Sequence, residues 1–138
     1  MDLSGGFEVI DHTADWALRV VGRDLNELFV HAAHGMNSLL VANPNHVPLN
    51  LTKQIAIEAY DGETLLVDWL SELAYWAEDE MLIFPEILLD IKEVKCLKAN
   101  LRGGQVDSLQ KHIKAVTYHE MEITETELGF VVTVVFDV

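Results

Sequence analysis

The sequence predicts an α+β fold, a mainly antiparallel β-sheet system with two amphipathic helices packed on it. Three observations lead there. The chain has 138 residues, half of them hydrophobic, which suits one domain with a real core and makes disorder a poor description. Two stretches carry apolar residues at the i, i+3, i+4, i+7 spacing of a helix, while the others alternate or run apolar over strand lengths. The resulting order, β-β-α-β-α-β-β-β-β, has many strands and few helices. No repeat, low-complexity tract or linker divides residues 1–138.

Phe7 to Asp11 reads as the first strand, with Phe7, Val9 and Asp11 on one face and Glu8 and Ile10 on the other. Trp16 to Gly22 reads as the second. Asp24 then caps a helix, with Glu27 at the capping-box spacing. Leu25, Leu28, Phe29, Ala32, Ala33, Met36, Leu39 and Leu40 form its apolar face. It should end near Val41, before the Asn43-Pro44-Asn45 turn. His31 and His34 flank this stripe. Their spacing would let them share a metal, yet no third ligand stands nearby in sequence.

Pro48 to Tyr60 has strand alternation, and Asp61-Gly62 makes a turn. The second helix runs from about Glu63 to Asp79. Its stripe is Leu65, Leu66, Trp69, Leu70, Leu73, Trp76 and Ala77, and the two indoles read as core anchors. Ile87 to Val94 and Cys96 to Leu101 are expected to pair as a hairpin. Arg102-Gly103-Gly104 is expected to break the pattern, and Gln105 to His112 to form a polar loop. Lys114 to Thr124 is expected as one strand. Phe130 to Val138, apolar on both faces, should be a central strand covered on both sides.

The chain holds 9 basic and 23 acidic residues, a formal net charge of -14. That argues against a protein that wraps nucleic acid by itself, because phosphate contacts need clustered Lys and Arg. It suits cation binding or docking on a basic surface, and it equally suits solubility alone. The single cysteine, Cys96, excludes an internal disulfide and a Cys-based zinc site. The first residues lack a signal-peptide pattern. No apolar run reaches the roughly 18 residues of a membrane span. A cytoplasmic protein is expected.

Chemistry concentrates at Asp11-His12-Thr13-Ala14-Asp15, between the first two strands. Carboxylates and carbonyls are hard oxygen donors suited to Ca²⁺, Mg²⁺ or Mn²⁺. One short loop cannot fill such a coordination shell. Asp137, beside the terminal carboxylate of Val138, is the natural further donor. The competing reading makes Asp15 a turn cap and Asp137 a solvated side chain. A second polar group is Lys114-Ala115-Val116-Thr117-Tyr118-His119, in which His119 fits either strand packing or a functional role. No phosphate loop, dinucleotide fingerprint or serine elbow is present.

Taken together, Asp11–Asp15, Leu65-Leu66-Val67-Asp68-Trp69-Leu70-Ser71-Glu72-Leu73, Lys114–His119 and the ending Asp137-Val138 resemble the archease family over nearly the whole chain. The strongest parts are the His12–Asp15 and Lys114–His119 runs. The resemblance implies a protein that is not itself an enzyme. It implies an accessory to tRNA splicing and RNA repair that promotes guanylylation and multiple turnover of an RtcB-type RNA ligase, meeting RNA only through that ligase. It implies a bound Ca²⁺, with Mg²⁺ or Mn²⁺ as alternatives, held by Asp15, Asp137 and an oxygen of Val138. Lys114 is carried over as a functional residue, and His12 and His119 are expected beside it as partner contacts. Trp16-Ala17 departs from the family, which tends to carry a small apolar residue and glycine there. Two other readings stand against this one. One is a metal-dependent phosphoester hydrolase with His12 or His119 as base. The other is a chaperone-like module with a structural metal.

Overall fold

The computed structural model describes residues 5–11 and 15–138, with Asp11 described by its backbone alone. His12, Thr13 and Ala14 of the N-terminal cluster lie outside the described residues. Strands β1 (Phe7–Asp11) and β2 (Trp16–Gly22) pair antiparallel, Phe7 opposite Val20 and Asp11 opposite Trp16. Helix α1 spans Leu25–Leu40. The Asp24 carboxylate accepts from the Glu27 amide at 2.8 Å, and the Glu27 carboxylate accepts in return from the Arg23 amide at 3.0 Å. The reciprocal half of the capping box therefore falls one residue earlier than its usual place. The Arg23 guanidinium also bonds Glu27 and holds its carboxyl below the ordinary range.

Strand β3 is Leu51–Glu58 and helix α2 is Gly62–Glu80, capped by Asp61 accepting from the Thr64 amide at 2.8 Å. Strands β4 (Leu82–Lys92) and β5 (Cys96–Gln105) form the expected hairpin, but both are longer than the pattern suggests. β4 begins before Pro85 and carries it at a register shift between Ile83 and Glu86, where a bulge tolerates a residue without an N–H. Gly103 and Gly104 do not end β5. A Cβ on Gly103 would overlap the Ile83 carbonyl oxygen, so glycine there allows two backbones to approach closely.

The expected strand from Lys114 to Thr124 is also corrected. It divides into β6 (Ala115–Val116) and β7 (Thr124–Thr126). After Val116 the Thr117 hydroxyl donates to the Val135 carbonyl at 2.9 Å, and Glu120 takes a left-handed φ of 58°. The chain turns there, so Tyr118 to Met121 do not alternate across a sheet. Strand β8 is Gly129–Asp137.

Every pairing is antiparallel. Sheet A has the order β1-β2-β8-β6, with β7 also on β8, and sheet B has the order β3-β5-β4. β8 is thus an interior strand, as expected. Val132, Val134 and Phe136 face the core and are buried; on the other face Val131 and Thr133 are half-buried, and only Val135 is buried. One apolar cluster joins α1, α2 and the inner faces of both sheets. Trp69 sits at its centre, fully buried, and its indole N–H donates to the Phe29 carbonyl of α1 at 3.0 Å. Trp76 is instead marginal, with the Lys53 ammonium 3.5 Å from its ring centroid.

Helix α1 also closes the bulge of β4. Buried Asn37 donates to the Phe84 carbonyl at 3.3 Å, and His34 Nε2 donates to the Pro85 carbonyl at 3.2 Å. His31 Nδ1 donates to the Val21 carbonyl at 2.7 Å. The two histidines thus serve different strands as packing residues. These contacts satisfy backbone oxygens that the irregular strand leaves unpaired.

Two outcomes are expected. Gly103→Ala should destabilise the protein by roughly 1–3 kcal/mol, the range for overpacking a close approach, as measured by urea unfolding. Burial pushes the His34 pKa below its ordinary value near 6.5. Below that pH the unfolded chain binds a proton that the folded ring resists, so stability falls as pH drops through 6.5. His34→Gln keeps a donor toward Pro85 and should show a smaller loss of stability between about pH 7.5 and 5.5. An unchanged loss would mean that His34 does not carry it.

Candidate metal centre and partner-contact corner

The β2–β8 ladder places the stretch that begins at Asp15 beside the one that ends at Asp137. Its outermost pair is Trp16 opposite Phe136. Asp15 and Asp137 are the next residues outward on the two strands. β6 adds the third component from the far side of β8. Ala115 pairs with Asp137, and the Lys114 amide donates to the Asp137 carbonyl at 2.7 Å. Val138 follows, half-buried and packed against the core. Asp15, Asp137, Val138 and Lys114 therefore share one corner of sheet A. Asp137 and Lys114 are exposed there, and Asp15 is half-buried.

Two carboxylates and a main-chain or terminal oxygen are hard donors, and they suit Ca²⁺, Mg²⁺ or Mn²⁺ in kind. They fill only part of a six- to eight-oxygen shell. Among the described residues no group of three or more His, Cys, Asp or Glu side chains is placed to hold a metal. The remaining oxygens would come from elsewhere. His119 sits in the turn after β6, exposed, with its amide donating to the Thr117 hydroxyl at 3.3 Å. Among the described residues no contact joins its side chain to the two aspartates. His12 lies outside the described residues.

Sequence reasoning passed over the segment before Lys114. The expected polar loop is firmly anchored. Gln110 takes up the last carbonyls of α1, its amide donating to Leu40 at 2.8 Å and its side chain to Ser38 and Leu39 at 3.1 and 3.2 Å. His112 Nδ1 meets the Glu78 carboxylate of α2 at 3.0 Å. Ile113 is buried, and Lys111 Nζ lies 3.8 Å from the Trp16 ring centroid. The local signals were Val106, Leu109 and Ile113, isolated apolar residues among polar neighbours.

Residues 7–138 match the family described as the archease protein family (MTH1598/TM1083). Protein archease of Sulfurisphaera tokodaii is 31% identical over 137 residues, covering 96% of this chain and 98% of the relative. Protein archease of Methanosarcina barkeri is 34% identical over 140 residues, covering 96% and 95%. Among solved structures, protein 1598 of Methanobacterium thermoautotrophicum superposes with a TM-score of 0.79 at 27% identity, over 97% of this chain and 99% of that one. A Thermotoga maritima protein described as an archease and possible chaperone gives a TM-score of 0.62 at 21% identity, over 95% and 96%, which speaks to the fold alone. With its motifs, its α+β architecture and these matches in agreement, the chain belongs to the archease family.

Proposed function

We propose that this protein is an accessory factor for RNA ligation. In this reading it promotes guanylylation and multiple turnover of an RtcB-type RNA ligase in tRNA splicing and RNA repair, and it has no turnover of its own. Family membership supports the class of function. The observation that carries the site is the corner at which Lys114, Asp137, Val138 and Asp15 come together through strand register.

Asp15, Asp137 and an oxygen of Val138 would hold Ca²⁺, or Mg²⁺ or Mn²⁺ in its place. When bound, the cation would draw on the carboxylates of Asp15 and Asp137 and offer a hard positive centre to oxygen ligands of a partner. Lys114 places a flexible ammonium at the same corner, where it can meet a phosphate or a partner carboxylate. His12 and His119 are further partner contacts in this reading. The net charge of -14 favours approach to a basic surface, which an RNA ligase must present to its substrate. Among the described residues no helix is long and apolar enough to cross a membrane. We take the cytoplasm, where such a ligase would act, as the working location.

An RNA-joining assay at limiting ligase, with GTP and Mn²⁺, tests this reading. Many turnovers are expected only with the protein present. Folded Asp15→Ala, Asp137→Ala and Lys114→Ala variants should lose roughly tenfold or more of that stimulation, in the range seen when groups supporting a metal site are removed. Variants that stimulate like wild type would sink the site assignment. Phosphoester hydrolysis by the protein alone, lost in Asp15→Ala, would favour the hydrolase reading instead.

Cation removal gives a separate outcome. At a hundredfold excess over its dissociation constant, a cation that binds only the folded state adds about 2.7 kcal/mol of stability. Ca²⁺ should therefore raise the melting temperature, and a chelator should reverse the rise. Asp137→Asn should respond to neither. A Ca²⁺ response that survives in Asp137→Asn would place the cation elsewhere.

A further inference from the structure

Resting on the accessory reading, we propose that Lys111 and Trp16 form a positioning clamp for Lys114. The ammonium of Lys111, seated on the indole of Trp16, holds the Lys114 segment against the strand end that carries Asp15. Trp16 is fixed from both sides, paired with Asp11 of β1 and Phe136 of β8. Its backbone is thus held in the sheet, and Lys111 Nζ at 3.8 Å from the ring centroid lies within cation–π range. Indole is the strongest platform for such a contact among the side chains.

Buried Ile113 and Val116 and the two bonds of Thr117 to the Val135 carbonyl hold the segment on either side of Lys114; Lys111 adds a hold on sheet A. β6 itself is only two residues long, shorter than strands usually are. The other polar anchors of residues 106–113 lead away from sheet A. The Val106 amide donates to Met81 at the end of α2, Gln110 bonds the end of α1, and His112 meets Glu78 of α2. Among the described polar contacts of these residues, Lys111 on Trp16 is the one that reaches sheet A. Three residues later the Lys114 amide meets the Asp137 carbonyl. Lys111 thus acts through Lys114 and is a positioning residue.

Amide hydrogen exchange at Lys114, followed by NMR, tests the clamp directly, and the RNA-joining assay tests its consequence. A cation–π contact worth about 0.5–1 kcal/mol corresponds to two- to fivefold faster exchange in Lys111→Met, which keeps the aliphatic stem but not the charge. Trp16→Leu should behave alike. Lys111→Arg keeps a cation on the ring and should exchange like wild type. Stimulation of the ligase should fall in the same order. Unchanged Lys114 exchange in Lys111→Met overturns the clamp. Faster exchange with undiminished stimulation overturns its bearing on Lys114. If wild-type protein fails to stimulate the ligase, the accessory reading falls, and the exchange rates still decide whether the clamp exists.

Discussion

The structure depends on one pairing, that of β2 with β8. It joins a strand near the start of the chain to one near its end, with Trp16 opposite Phe136 and Gly22 opposite Phe130. Closing so long a loop costs entropy that only burial can offset. The register supplies that burial, because it sets Leu18 and Val20 against Val134 and Val132 on the core face. A slip of one residue would turn one strand's pair away from the core. The same register makes Asp15 and Asp137 successive residues beyond the ladder's last pair. Fold and candidate site therefore share one constraint, and the site cannot be displaced without turning one strand's pair away from the core.

Sheet B is held to this frame by a different device. Its strand β4 is irregular at Phe84-Pro85, and the carbonyls exposed by the irregularity are taken by Asn37 and His34 of α1. The Ile91 amide donates to the Asn26 side chain at 2.9 Å, which ties a second point of β4 to the same helix. α1 thus bonds to the second sheet while packing on the first. Trp69 then ties α2 to α1 through the Phe29 carbonyl. Polar contacts in an otherwise apolar core fix orientation, since each buried carbonyl must find its own donor.

Much of this was legible in the chain. The two apolar stripes locate both helices, and Asp24 marks the start of the first; Asp61, read as a turn residue, proves to cap the second. The first two strands lie within the expected bounds. What escaped local reading depended on tertiary contact. Gly103-Gly104 looks like punctuation, yet here glycine answers the close approach of Ile83 across the hairpin. The Lys114–Thr124 stretch alternates well enough for one strand, but Thr117 spends its hydroxyl on the Val135 carbonyl and the chain turns at Glu120. Asp15, Asp137 and Lys114 could be singled out as residues. That Asp15 and Asp137 would share a site was expected from their chemistry, but the register that sets them side by side, with Lys114 beyond, arises from pairings that no window of sequence contains. The anchoring of residues 106–113 escaped for the same reason, each of its partners lying on a distant element.

Asp137 has two attachments at the corner. Its side chain leaves the end of β8 into solvent, where the proposed cation would meet it, and its carbonyl accepts from the Lys114 amide. The main chain of Lys114 therefore follows any adjustment of Asp137. On the proposed reading, drawing Asp137 toward a cation shared with Asp15 also sets the starting point of the Lys114 side chain. The converse holds as well, since displacing β6 would alter the backbone that presents the Asp137 carboxylate. Cation affinity and presentation of the lysine are then linked quantities, and by thermodynamic reciprocity whatever a partner gains by ordering Lys114 must appear as tighter binding of the cation. A flexible tail bearing the same side chains would lack this linkage. A paired strand end, with β2 on one side and β6 on the other, supplies it.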